Sequence, residues 1–276
     1  MKQRILFLFF LLSITSNVSY CQIVTGVVRD SQNNRPISYV NIGIPAKGIG
    51  TVSNENGLFS ICLDSCMLND TIVFSCIGYE KQRLTKKNII SNSNILLKTQ
   101  IREIQQVDID YIKPYTKTVG CRAKSKYMQG NFEKNVLGAE VGLVIKNKHR
   151  GKIQNFSFNI TYNSFDTLFF RLNVYKMNDG FPSDNILTKP IYITTTARNG
   201  IVTANLEDFN IIVYEDFMVS LEWLCDFKNS KQSNNNSFCF SLGLKSGKTF
   251  YRNVSQDNWK TIPVASVGFW SDIYYY

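Results

Sequence analysis

Apolar and polar residues alternate in short runs along most of this chain, and clusters of Gly, Pro, Asn and Asp cut the runs off at intervals of several residues. Alternation of period two puts successive side chains on opposite faces, as in a strand with one buried face. Val24 to Val28 alternates around Gly26 and stops at the turn formers Asp30 to Pro36. In Ile37 to Ile44, residues Val40, Ile42 and Ile44 share one face, while Tyr39 and Asn41 take the other, which is expected to be wet. Pro45, Gly48 and Gly50 end that run. Asn56-Gly57 accepts positive φ at little cost and predicts a tight hairpin reversal before the strand Leu58 to Leu63. Asp70 to Ile77 alternates next, Gly78 breaks it, and Ile95 to Leu97 closes the sheet.

The second half reads as a further set of strands with no sustained helical period: Glu140 to Ile145, Ile153 to Tyr162, Leu168 to Lys176, Pro190 to Thr196, Ile201 to Leu206, Phe217 to Leu224, Phe238 to Leu244 and Val264 to Tyr275. Asn178-Asp179-Gly180, Pro182-Ser183-Asp184, Arg198-Asn199-Gly200 and Lys245-Ser246-Gly247 supply turns between them. Leu168, Phe170, Leu172 and Val174, with Phe217, Val219, Leu221 and Trp223, are assigned to the core. The fold class expected is all-β, with a small sandwich over 22–98, a linker over 99–119 rich in charged and amide residues, and a jelly-roll-like sandwich over 120–276.

Gly26, Asp30, Pro36-Ile37, Val40, the run Gly50 to Ile61 and the run Asp70 to Tyr79 together resemble the carboxypeptidase-regulatory-like domain, a transthyretin-like sandwich often found at the front of TonB-dependent outer-membrane receptors. The resemblance spans Val24 to Leu97 and implies a structural or partner-binding accessory rather than an activity. Where the family usually has Thr-Asp, this chain has Ser53-Asn54, which preserves the turn because Asn tolerates the same backbone. Receptors with this module continue into a plug and a barrel, and Ile101 to Asp108 looks like the start of such a continuation. The remaining chain is too short for a plug and the roughly 22 strands of an outer-membrane transporter.

Before the first strand, Lys2 and Arg4 precede the apolar run Ile5 to Leu12 and a polar stretch ending Ser19-Tyr20-Cys21, the pattern of a cleaved secretory signal over 1–21. Cleavage after Cys21 is preferred to its lipidation, because Tyr20 is not the small residue that lipidation requires. The expected location is the periplasm, the outer membrane's periphery or the cell surface. The formal charge of +10 is spread over polar loops, as at Lys146, Lys148, Arg150 and Lys152, where solvated charge is the preferred reading and an anionic envelope surface the alternative; export argues against nucleic acid. Cysteines at 62, 66, 76, 121, 225 and 239 permit disulfides, and the short loop between Cys62 and Cys66 makes that pair the first candidate.

Candidate chemistry is sparse. The chain holds one histidine, His149, which excludes a zinc carboxypeptidase site, and it sits in a basic loop with no nucleophile motif around any nearby Ser. Phosphate-binding glycine loops are absent, and no cofactor or metal is expected. Glu140, Glu215 and Glu222 are undistinguished candidates for a carboxylate pair, so a small exported hydrolase is the enzymatic alternative. A small outer-membrane barrel is a second alternative, suggested by the aromatic last strand and opposed by the outward placement of Lys146, Arg171 and Glu222. The preferred reading is a non-enzymatic binding protein, peripheral to a membrane, that recognises a glycan or an envelope protein. Its candidate site is the outward face of one sheet, Phe169, Arg171, Asn173, Tyr175 and Glu222, where rings would stack on a sugar and polar groups meet its hydroxyls; the preferred alternative is that a loop or the first domain covers Phe169 and Tyr175.

Overall fold

The computed structural model describes residues 22–100, 113–132, 137–226, 237–244 and 246–276; the signal-like segment 1–21 and the continuation read at Ile101 to Asp108 lie outside them. Within the first sandwich, Ile23–Asp30 is the middle strand of a three-stranded sheet, antiparallel to Leu58–Cys62 and parallel to Asn94–Leu97. The facing sheet orders Ile49–Val52, Asn41–Ile44, Thr71–Ser75 and Gln82–Thr85. Val28, Ile42, Phe59, Ile61, Ile72 and Phe74 fill the space between them, which is the face that alternation selects.

Two local features differ from the sequence reading. Asn54 Oδ1 accepts from the Asn56 and Leu58 N–H groups, and Gly57 has φ 72°, so the expected tight turn forms. It carries the chain from one sheet to the other, however, and closes no hairpin. A helix at Lys86–Ser91, capped reciprocally by Thr85 and Asn88, lies between the last two strands. Its Lys86 is buried because Nζ donates to the carbonyls of Leu63 and Cys66, at 2.6 and 3.1 Å.

Seven strands form one sheet of the second sandwich, with the path Phe181–Asn185, Leu168–Asn178, Phe217–Asp226, Glu140–Ile145, Thr249–Arg252 and Lys260–Ile262, and Ile191–Thr195 also on Leu168–Asn178. Nine form the other, with Asn155–Asn163 and Phe269–Tyr275 near its centre. Phe156, Phe158, Phe170, Phe238, Phe240 and Phe269 interlock edge to face between the sheets, together with the eight residues assigned to the core from sequence. Pro182 to Asp184 belongs to a strand rather than a turn. Tyr115–Gly120, inside the segment read as linker, is a strand paired along Phe269–Tyr275.

The two sandwiches are stacked. The outer face of the sheet containing Asn41–Ile44 lies on the outer face of the sheet containing Leu168–Asn178, so four sheets are layered in sequence. Gly43 and Gly50 are cross-strand partners at this junction. A Cβ on either would meet the Ser255 carbonyl oxygen at 2.3 Å, so the close approach of the second sandwich requires the missing side chains.

Within the first sandwich, Asp30 is buried and accepts from the N–H groups of Gln32 and Asn33 and from the Tyr79 hydroxyl. The Gln32 bond foremost, then those from Asn33 and Tyr79, holds its carboxyl below the usual range against the opposing effect of burial. Stability from a depressed carboxyl is present above its unfolded value, about 3.9, and is lost as pH falls through the lower folded value. Asp30→Asn is expected to lower the melting temperature at pH 7, with the gap to the parent narrowing below about pH 4. A gap of constant size down to pH 2 in thermal unfolding would contradict this assignment.

Candidate functional site

Four neighbouring strands of the seven-stranded sheet align one charged residue each. In register, Arg171 faces Glu222, Glu222 faces Glu140, and Glu140 faces Arg252. Alternation points all four away from the aromatic core, and the row reads plus, minus, minus, plus across the sheet. Both glutamates are fully buried, and Arg171 is 2 % exposed.

Arg171 donates from Nε and Nη2 to Glu222 Oε2, at 3.0 and 2.7 Å. Arg252 Nη2 lies 2.5 Å from Glu140 Oε2, and its guanidinium sits over the Trp259 ring at 4.7 Å. Like charges opposite each other in a sheet repel. Here the Asn173 amide bridges them, donating to Glu140 Oε1 at 2.9 Å and Glu222 Oε2 at 3.2 Å. Ser220 and Tyr175 hydroxyls also donate to Glu140, and Ser255 to Glu222. Burial pulls the Arg171 pKa down and the adjoining Glu222 carboxylate more than reverses this, so the guanidinium stays charged. Burial pushes the Tyr175 hydroxyl up, with Glu140 adding to the effect.

The first sandwich completes the arrangement. Arg171 Nη1 donates to the Tyr39 carbonyl at 2.6 Å and Nη2 to Asn41 Oδ1. Gln256, held at φ 67°, donates to Ser75 Oγ at 2.7 Å. Tyr39 packs on Phe169 and Tyr192, with ring centroids 5.2 and 5.4 Å apart, and Val52 joins Phe169 and Leu224.

This geometry decides between the two sequence readings of that face: the first sandwich covers it, as the covered reading expects, and it is not an open glycan platform. Phe169, Arg171, Asn173, Tyr175 and Glu222 do share one outward face, but all five are buried, Phe169 and Tyr175 at 8 and 9 % exposure. The reason is mutual. The Tyr39–Asn41 side, expected to be wet, and the Phe169–Tyr175 side, read as either an open platform or a covered face, cover each other. What remains between them is a polar cavity of about 150 Å³ lined by Cys76, Arg171, Asn173, Tyr175 and Trp259, room for a few waters at about 30 Å³ each. Burial pushes the Cys76 thiol up, against the opposing Arg171 charge, so it is not an activated thiolate.

The pairing of Cys62 with Cys66 is also corrected. Cys62 is disulfide-bonded, whereas Cys66 is a free thiol, as are Cys76, Cys121 and Cys239. Cys62 points outward from its edge strand while Cys66 is buried in the core of the sandwich, so the two side chains diverge. Among the described residues, no group of three or more His, Cys, Asp or Glu could hold a metal ion.

Sequence reading missed Arg252 and Tyr39 as members of this junction, and placed Glu140 only in an undistinguished carboxylate group. The one available signal was Gly43 inside a strand pattern, which marks a close backbone approach. Removing one partner of a buried ion pair leaves an uncompensated charge, a loss of about 3–5 kcal/mol. Arg171→Met is therefore expected to lose that order of stability, and Arg171→Met combined with Glu222→Leu is expected to recover much of it. Chemical denaturation of both variants checks this; a double variant no more stable than the single one would show that the pair acts otherwise.

Comparison with known proteins is informative for the first sandwich alone. No curated protein matches the chain. Among solved structures, those of infectious bursal disease virus, Gt strain and Gx strain, are each 12 % identical over 92 % of this chain, with TM-scores of 0.26 and 0.24. The chain spans 63 and 64 % of theirs. Residues 24–109 match the family model of the CarboxypepD_reg-like domain, and the N-terminal sandwich is a domain of that family.

Proposed function

We propose that this chain is an exported, non-enzymatic binding protein of the cell envelope, in which the CarboxypepD_reg-like domain is fixed to a second sandwich that meets an acidic envelope glycan. The observation that carries the reading is the charged row. Glu140 and Glu222, two of the three carboxylates singled out as candidates for a hydrolase pair, are sealed from solvent, and each is matched to an arginine. A glycosidase needs its carboxylates open to substrate on both sides of a sugar ring. Export is supported by the N-terminal charge and apolar pattern and by the disulfide at Cys62, a bond that persists in oxidising compartments.

The glycan face supported by the geometry is not the one read from sequence. On the outer side of the nine-stranded sheet, Lys152 lies between Ile212 and Tyr274 in register. Tyr274 stacks on Tyr276 at 5.5 Å, and Arg150 lies over Tyr276 at 4.5 Å. Tyr214 and Tyr274 are exposed. The nearby carboxylates are engaged, Asp216 by Lys146 and Asp272 by Asn155 and Thr118. This leaves rings for stacking beside unpaired cations, the combination that an acidic sugar chain fits.

Immobilised polygalacturonate and dextran provide the test. Binding to the acidic polymer that falls steeply with salt, and weakens at least tenfold in Lys152→Ala with Tyr274→Ala, is the expected result, since exposed charges are screened beyond about 10 Å at 0.1 M ionic strength. Equal binding to dextran, or no effect of the substitutions, would transfer the role to an envelope protein. Export is read separately, by N-terminal sequencing of the protein recovered from the envelope and periplasmic fractions. An intact Met1 there would contradict processing near Gln22.

A further inference from the structure

A second concavity lies within the second sandwich, remote from the basic face and not needed for the reading above. At one edge the two sheets stand apart, and a pocket of about 490 Å³ opens between Gln129–Gly130 and Lys260–Ile262. Small-molecule sites span about 300–1,000 Å³ and are mostly apolar, with a few placed polar groups. Here Phe132, Val141, Phe240, Leu242 and Val267 wall the inside, continuous with the aromatic core. Asn131, Asn253 and Thr261 supply amide and hydroxyl groups at the margin. Among the described residues, no carboxylate lines the pocket, and the one charged lining residue, Arg252, is held by Glu140.

We infer that this pocket binds the alkyl or acyl chain of an amphiphile with an uncharged polar head. The shape argues for a chain, because packed sheets stand about 10 Å apart and a gap between them is slot-like. The lining argues for hydrocarbon inside, since burying apolar surface there stabilises at about 25 cal/mol per Å². The margin argues for a neutral head. Amides and a hydroxyl satisfy a hydroxyl or carbonyl group at no desolvation cost from an unpaired charge, while a carboxylate head would find no free cation among the described lining residues.

Gly130 gives a means of closing the site. A Cβ built there would lie in ordinary contact with the Leu242 side chain at 3.5 Å, and its backbone is not in the left-handed region. Gly130→Phe is therefore expected to fill the pocket without disturbing the strand. The experiment uses the whole chain from Gln22 to Tyr276 and the fluorescence of N-phenyl-1-naphthylamine, an uncharged apolar probe. The expected result is saturable binding at one probe per chain, displaced by decanol and by octyl glucoside below its micellar concentration, at least tenfold more weakly by decanoate, and not by glucose. Gly130→Phe should lose binding at least tenfold with an unchanged melting temperature, while Tyr274→Ala should retain it. Should Gly130→Phe fail to fold, Thr261→Trp at the margin serves the same purpose. Absence of saturable binding, equal displacement by decanoate, or full binding by a folded, filled variant would each overturn the assignment.

Discussion

The row Arg171, Glu222, Glu140, Arg252 is the constraint on which the assembly depends. Four charges on adjacent strands face away from an aromatic core, and left in water they would make an ordinary polar sheet face. The first sandwich removes that water. Most donors and acceptors in the row are then met by protein, and the partners come from both sides: Asn173, Ser220 and Ser255 from the second sandwich, the Tyr39 carbonyl and Asn41 side chain from the first; Arg252 Nε is the exception, buried without a partner. Desolvation offsets much of the Coulombic gain in such a site. Its effect is chiefly geometric, since the hydrogen bonds close only when the two sandwiches adopt one relative position.

The motif residues of the CarboxypepD_reg-like domain have structural explanations here. Asp30 and Tyr79 tie the end of the first strand to the loop after Thr71–Ser75. Gly57 passes beneath the Val28 carbonyl, 2.6 Å from where its Cβ would stand, and Ser53 Oγ accepts from the buried Val40 N–H. Gly50, with Gly43, leaves the flat floor on which Ser255 rests. None of these residues is arranged for catalysis. They fix the shape of a small sandwich and the face by which it docks.

With the central sheet faces covered, surfaces available for recognition lie elsewhere: the tyrosine and lysine face of the nine-stranded sheet, and the edge where its partner sheet diverges. The core has no comparable freedom. Its phenylalanines make edge-to-face contacts in a continuous array, the arrangement aromatic quadrupoles favour, and it holds both sheets in place around the open edge.

Period-two alternation by itself determined the all-β class and the inward residues of nearly every long strand, while the first sandwich was legible as a regulatory-like module through the resemblance of its motif residues to that family. Leu168–Asn178 shows why: its inner face of Leu168, Phe170, Leu172 and Val174 follows from local pattern, because a strand's two faces are fixed by the backbone alone. Tertiary structure alone decided what the other face is for. Phe169, Arg171, Asn173 and Tyr175 carry the same alternation whether they meet water, a sugar or another sheet. The residues that cover them, Tyr39 and Asn41, lie some 130 positions away and carry the same ambiguity. The short strands Thr249–Arg252 and Lys260–Ile262, the cross-sheet turn at Gly57 and the divergence of Cys62 from Cys66 were likewise settled by long-range packing, which no local period encodes.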